Sequence, residues 1–354
     1  MPGYKRMMIG VLAMALCGCS ATNSNQADAL SSGDYSAILP YETSDTRVKH
    51  LGIISDVDQR IQIEDGLMEL SKAHFSPNSV AYKTHTFLNY DELDATDGSR
   101  GLLGTLRDDN PNGLNPGKNE DFDTGNGKVN GPTILVDIYE LDWYNNDELK
   151  GISIGLVVND RVGEDDTKIK RSNMQQYLEV SSTKLVNYMR SRFNEVTDSV
   201  PIYIAAYQLD SSNDDNMGGY IYSGYFQNSS QSYSKINQQW LRLPSSSLTE
   251  KDAKTAEDFN NFKDALAGVI ADNTYVIAEA EYINDTLTRM QINIEAHGKT
   301  AGELLAISQA AKENLSSFEE TGCVYVVNIK SNETTYCMIK RDRNTRDTTV
   351  ITSL

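Results

Sequence analysis

The first nineteen residues constrain this chain more than any other stretch. Lys5 and Arg6 form a basic head, and an apolar run from Met7 to Ala15 follows before Leu16-Cys17-Gly18-Cys19. A basic head, a short apolar core and a small residue at its end make a secretory leader. As a helix, Met7 to Cys19 would span about 20 Å against the about 30 Å of hydrocarbon in a bilayer, too short for a membrane-spanning anchor. Whatever folds downstream is therefore expected to work outside the cytoplasm.

A cysteine directly after the small residue is more specific. Leu16, Cys17 and Gly18 before Cys19 resemble the lipobox of bacterial lipoproteins, in which the cysteine receives a diacylglycerol and becomes the first residue. A plain secretory leader cut elsewhere is the alternative reading. Residues 1–18 are the expected signal peptide, and acylated Cys19 the expected attachment to the bilayer at the outer face of the cell membrane. Each buried methylene contributes about 0.8 kcal/mol, so two or more acyl chains would hold the protein firmly. Cleavage removes two basic residues and no acidic one, taking the net charge from -18 to -20. So acidic a chain repels phosphate backbones, and no nucleic-acid partner is expected.

Residues 19–46 are rich in Ser, Asn, Thr and Asp and read as a flexible tether. A free chain of that length reaches about 30 Å. Beyond it, strand and helix patterns alternate. A helical stripe runs through Val57, Ile61, Leu67 and Leu70, and Val80–Leu88 reads as a strand. A turn-rich stretch occupies 91–131. Thr133–Leu141, with Ile134, Val136 and Ile138 on one face, and Gly151–Asn159 read as strands. A helix carries Met174, Leu178, Leu185 and Met189, and strands follow at Pro201–Leu209 and Tyr220–Gln227. A helix striped by Phe259, Phe262, Leu266 and Ile270 precedes a hairpin turning at Asn284-Asp285. Thr300-Ala301-Gly302-Glu303 is a capping box for the next helix. A last hairpin, Cys323–Ile329 with Thr335–Lys340, turns at Ser331-Asn332. The pattern predicts an α+β fold, mostly antiparallel sheet with packed amphipathic helices. Residues 47–245 and 246–354 form two subdomains, and the strand-strand-helix-strand-strand order of 133–227 returns in 274–340.

Several segments resemble the CamS family of bacterial sex-pheromone lipoproteins. They are Glu64-Asp65-Gly66-Leu67-Met68-Glu69-Leu70-Ser71 followed by Phe75-Ser76-Pro77, then Gly113-Leu114-Asn115-Pro116, then Leu149 to Leu156 with Gly151 and Gly155. Val200 to Ala205 and Phe259-Asn260-Asn261-Phe262-Lys263 complete the ordered set. The resemblance implies processing by lipoprotein transferase and signal peptidase. It also implies trimming of the leader, here roughly Leu12 to Gly18, to a short apolar mating signal. Cys17 departs from the family's aliphatic pattern, and Arg47-Val48-Lys49 stands where the family has an arginine-glycine step.

Chemistry-bearing motifs are sparse. His50, His74, His85 and His297 lack metal-pair spacing, and there is no P-loop, dinucleotide fingerprint or nucleophile elbow. Catalysis, cofactors and a metal site are not expected. Asp121, Asp123 and Asn126 place their glycine one residue late for a calcium loop, and Asp210, Asp214 and Asp215 form a similar acidic turn. Cys323 and Cys337 are either a disulfide or free thiols; the expected hairpin sets them three residues out of register, so a bridge would need a bulge. Tyr220, Tyr222, Tyr225, Phe226, Tyr233 and Trp240 read first as cross-strand packing, with stacking on cell-wall polysaccharide as the second reading. The folded part is thus expected to be a binding module of a pheromone-precursor lipoprotein. The alternative is a surface adhesin or wall-binding lipoprotein without a signal.

Overall fold

The period-two stretches of the sequence pair edge to edge into one sheet. The computed structural model describes residues 26–31, 33–94, 101–211, 215–269, 274–332 and 334–353. Along the chain come β1 (Ser36–Ala37), α1 (Asp45–Lys49), α2 (Val57–Ser71), β2 (Ala81–Thr84), α3 (Tyr90–Asp94) and a small ribbon of β3 (Asp121–Asp123) and β4 (Lys128–Asn130). Next are β5 (Leu135–Asn145), β6 (Glu148–Asn159), a second ribbon of β7 (Arg161–Val162) and β8 (Thr167–Lys168), α4 (Arg171–Arg192), β9 (Ile202–Leu209), β10 (Asn216–Gln227), β11 (Ser230–Lys235) and β12 (Gln238–Leu243). The chain ends with α5 (Ser246–Lys251), α6 (Ala253–Val269), β13 (Thr274–Ile283), β14 (Thr286–Ala296), α7 (Ala301–Leu315), β15 (Val324–Ser331), β16 (Thr334–Arg341) and β17 (Thr348–Thr352).

Thirteen strands join in the order β1-β2-β5-β6-β9-β10-β12-β13-β14-β15-β16-β17, with β11 on β10. The fold is α+β and the sheet mostly antiparallel, as the sequence predicts. The exceptions are the parallel pairs β1–β2, β6–β9 and β14–β15. The last two sit at matching places in the two halves. β5-β6-α4-β9-β10 and β13-β14-α7-β15-β16 are each an antiparallel hairpin, a helical crossover to a parallel strand, and a second hairpin. Local chemistry fixes these units. Asn284 and Asp285 both take positive φ, 49° and 63°, as a two-residue hairpin turn requires. Thr300 and Glu303 form the reciprocal capping box that starts α7.

Three apolar cores hang on the sheet. In the first half α4 buries Met174, Leu178, Leu185 and Met189 on one face, against Ile152, Ile154 and Leu156. On the other face α2 buries Ile63 and Leu67, beside Trp143, Tyr203 and Tyr220. In the second half α6 and α7 bury Phe259, Phe262, Ile307 and Ala311 against Ile292, Ile294, Val327 and Ile339. Burying one such side chain contributes about 1.5–3 kcal/mol. Arg341 closes this third core: its guanidinium donates to the carbonyls of Leu315, Phe318 and Glu320 at 2.8, 3.0 and 2.6 Å, satisfying the end of α7.

The structure also corrects several expectations. Residues 26–46 do not all behave as tether. Gln26 bridges Ile38, β1 pairs with β2, and the Tyr35 ring stacks on Trp143 at 4.1 Å while its hydroxyl donates to the Phe75 carbonyl at 2.6 Å. The strand expected over Val80–Leu88 ends at Thr84, because His85 takes φ 46° and turns the chain. In β5 a bulge between Leu135 and Asp137 breaks the expected alternation, so Ile134 and Ile138 face the α4 core while Val136 faces the α2 core. The turn-rich stretch is largely ordered. Buried Asn115 donates to the carbonyls of Leu103 and Leu135 at 2.8 and 2.9 Å and accepts from the amides of Ile134 and Leu135 at 2.8 and 2.9 Å. All its hydrogen-bonding capacity is used. A Cβ on Gly113 would lie 2.6 Å from the Thr105 carbonyl, so glycine lets this segment close. Ile270 lies outside the described residues.

Gly151 admits the tightest test of this packing. A Cβ there would lie 2.0 Å from the Phe75 ring. Gly151→Ala is expected to destabilise the protein by about 1–3 kcal/mol, read as a lower denaturant midpoint. In Gly151→Ala/Phe75→Ala the two costs should be less than additive, because the second change removes the clash.

Candidate binding cavity

Strand β5 is buried on both faces yet carries Asp137, Glu140 and Asp142, each with at most 1% of its surface exposed. A buried carboxylate must find partners. These three find theirs in the segments on either side of one cavity.

Asp137 holds the N-terminal arm. Its two oxygens accept from Arg47 Nη1 and Nη2, both at 2.8 Å, and Oδ1 also accepts from His50 Nδ1 at 2.7 Å. Arg47 Nη2 reaches the Ile138 carbonyl at 2.8 Å as well, and the guanidinium lies 3.9 Å over the Tyr139 ring. His50 Nε2 donates to Asp94 at the end of α3. Burial works to raise the Asp137 carboxyl, but the hydrogen bonds of His50 and Arg47 hold it below its ordinary value. Burial works to lower the His50 imidazolium, and Asp137 and Asp94 overcome it and raise it. The group is a compact charged clamp, with Ser44 capping α1 through the Arg47 amide.

Glu140 and Asp142 hold the opposite wall. Glu140 accepts from the amides of Phe87 and Leu88 at 2.8 and 2.6 Å, and Asp142 from the Thr86 amide at 2.9 Å. Burial first, then the neighbouring carboxylate, raises Glu140 well above the usual range, and burial pushes Asp142 up to about 6. His85 Nδ1 donates to the Leu88 carbonyl at 2.8 Å, and its Nε2 has no partner among the described residues. Burial, followed by the Arg47 charge, pushes His85 down to about 3 and leaves it neutral.

Between these walls lies a cavity of about 600 Å³, lined by residues 38–46 of the arm, the 83–86 turn with Asn89, and Asn146 and Asp147 of the β5–β6 hairpin, with Gln26 at its edge. Hydroxyls and amides predominate: Thr43, Ser44, Thr46, Thr84, Thr86, Asn89 and Asn146. Glu42, Asp45 and Asp147 oppose the single Lys83, so an anion is disfavoured. Tyr41 contributes a ring, its hydroxyl 3.0 Å from that of Tyr82. The arrangement suits a polar, uncharged ligand.

The residues singled out from sequence scatter. Leu16, Cys17, Gly18, Cys19 and Asp214 lie outside the described residues. Cys323 and Cys337 are both free and buried; Ser331 pairs with Thr334, so the hairpin turns one residue later than the expected Ser331-Asn332, and with the bulge after Ile329 this sets Cys337 opposite Ile329 and leaves Cys323 beyond the paired strand. Tyr220, Tyr222, Phe226 and Trp240 are buried, so this row packs inside the fold and offers no exposed platform. Asp123 accepts from the Gly125 amide within its own hairpin, and Asn126 donates to the Lys168 carbonyl. Among the described residues no group of three His, Cys, Asp or Glu is placed to hold a metal. His74 stacks on Tyr225 at 4.6 Å, and His297 meets Asn332 at 3.1 Å. His85 is the histidine that lines the cavity, and His50 is buried in the clamp that holds the arm. The roles of Arg47, Asp137 and Glu140 went unread, because the partners that join these segments lie 52 to 91 residues away.

The clamp has a pH signature. The folded His50 lies above its reference of 6.5, so its contribution is complete below that value and is lost as pH rises through the folded pKa. The folded Asp137 lies below its reference of 3.8, so its contribution is complete above 3.8 and is lost as pH falls through the folded pKa. Clamp stability is therefore greatest between the two. Asp137→Asn is expected to cost about 3–5 kcal/mol, by stranding the Arg47 charge, and to flatten the stability profile on both limbs in denaturation at stepped pH.

Solved structures share this fold. A sex pheromone precursor from Lactobacillus salivarius subsp. salivarius UCC118 superposes with a TM-score of 0.78 at 21% identity, over 93% of this chain and 98% of that one. The C-terminal domain of sex pheromone staph-cAM373 precursor from Staphylococcus aureus gives 0.68 at 19%, over 85% and 98%. No curated protein sequence matches. The model of the family described as CamS sex pheromone cAM373 precursor matches residues 41–347, and the chain belongs to that family.

Proposed function

We propose that the chain is a membrane-anchored extracytoplasmic lipoprotein of the sex-pheromone-precursor type. Acylated Cys19 is the anchor, the leader before it is released and trimmed to a short apolar signalling peptide, and the folded part binds a ligand rather than catalysing a reaction. The observation that carries this is Leu16-Cys17-Gly18-Cys19 behind a basic, apolar leader in a member of a pheromone-precursor family. Among the described residues no helix is long and apolar enough to cross a membrane. Lipoprotein transferase and signal peptidase are the partners this processing needs.

The cavity supports a companion reading for the folded part. Its hydroxyl- and amide-rich wall, with one exposed tyrosine ring, matches the neutral polar surface of a sugar better than a phosphate. A wall glycan is the proposed ligand class, in keeping with an outer-face location.

Mass spectrometry of the mature protein should find a diacylated amino terminus at Cys19, and Cys19→Ser should move the protein from the membrane fraction to the medium. The synthetic leader, Leu12 to Gly18, should induce aggregation of recipient cells; silence at every concentration would remove the signalling half of the reading and leave the anchor intact. For the cavity, the protein should be retained on purified peptidoglycan or wall polysaccharide. Thr86→Trp, which fills the space from an exposed position, should abolish retention with circular dichroism unchanged.

A further inference from the structure

The hydroxyls and amides of the cavity wall account for a neutral sugar and leave three of the lining groups unused. Glu42, Asp45 and Asp147 line the cavity, and all three are exposed. None of them accepts a hydrogen bond or pairs with a cation among the described residues. Glu42 and Asp45 belong to the arm and Asp147 to the β5–β6 hairpin, so the carboxylates come from two separate segments. The nearby cations are committed elsewhere. Lys83, the one lysine or arginine of the lining, lies 5.0 Å over the Tyr144 ring, and its charge also acts on buried Asp142. Arg47 is held by both oxygens of Asp137, and Lys49 lies 4.2 Å over the Tyr90 ring.

His85 adds a fourth acceptor. It also lines the cavity and is only 8% exposed. Burial keeps the ring neutral, and its Nδ1 donates to the Leu88 carbonyl at 2.8 Å. The lone pair therefore sits on Nε2, which no described residue meets. A buried acceptor without a donor calls for one from a ligand. The fixed groups of the cavity are thus one-sided: three carboxylates and an imidazole nitrogen accept, and Lys83 is the charged donor against them. Hydroxyls donate or accept equally well and do not alter this balance. The ligand that answers it carries N–H donors and a positive charge.

We propose that the cavity takes an amino sugar whose amine is free and protonated, with the ammonium held between the arm and the β5–β6 hairpin by Glu42, Asp45 and Asp147. The proposal rests on the wall-glycan reading of the cavity. The sugar ring keeps the neutral hydroxyl surface that the Thr, Ser and Asn side chains match, and Tyr41 offers its ring to the sugar's apolar face. N-acetylation removes the charge and leaves a single N–H, so the acyl group decides how tightly the sugar is held.

The test uses the full mature lipoprotein in detergent micelles, titrated calorimetrically with a glucosamine tetramer, its N-acetylated counterpart and tetralysine. The glucosamine tetramer is expected to bind about tenfold more tightly than the acetylated one, and the difference should shrink as salt is raised. Glu42→Gln and Asp147→Asn, both at exposed positions, should each cost the glucosamine tetramer about twofold to fivefold and narrow the gap between the two, with circular dichroism reporting the fold. On purified cell wall, retention should fall once free amines have been acetylated with acetic anhydride. Equal affinity for the two tetramers, or wall retention unchanged by acetylation, would overturn the free amine while the glycan reading stands. Tetralysine bound as tightly as the glucosamine tetramer would overturn the sugar as carrier of the amine. Neither tetramer binding would overturn the amino sugar, and an absence of wall retention as well would overturn the glycan reading with it.

Discussion

Placing three carboxylates inside a strand covered on both faces is the constraint from which the functional end of this molecule follows. Asp137, Glu140 and Asp142 cannot be hydrated where β5 puts them. Together they recruit two segments: Asp137 the arm through Arg47 and His50, Glu140 and Asp142 the turn at 86–88. The cavity is the space left between two segments that β5 pins independently. An all-apolar β5 would pack as well, and it would give the arm no reason to close over the sheet edge.

A second polar seam joins the halves. The sheet runs without a break through β10, β12 and β13, so the two strand-strand-helix-strand-strand units share one hydrogen-bonded surface. Helix α2 crosses that junction. Asp56 at its amino terminus pairs with Arg242 of β12, and Gln62 donates to Glu279 of β13 at 2.6 Å. Burial, then the charge of Asp58, pushes Glu279 up to about 7. The third core draws its side chains from residues 241–339, and the other two stop at Trp240. The halves therefore have separate apolar interiors and a common backbone ladder, an arrangement in which rigidity between them depends on strands and α2 more than on shared core.

Much of this was legible because it is local. The Thr300–Glu303 box, the Asn284-Asp285 turn and the stripe Met174, Leu178, Leu185 and Met189 carry their partners within a few residues, and the structure places them as read. The family segments turn out to be close-packing points: Phe75 lies on Gly151, and Gly113 and Asn115 close the long loop. What was not legible depends on distance. Asp137 and Arg47 are 90 residues apart, and nothing in the period of β5 announces a carboxylate that faces inward. The bulge at Leu135–Asp137 shifts that period again, so alternation alone assigned Val136 to the wrong face. The final hairpin shows a like effect at short range, where a turn one residue later than read, with a bulge after Ile329, carries Cys337 away from Cys323.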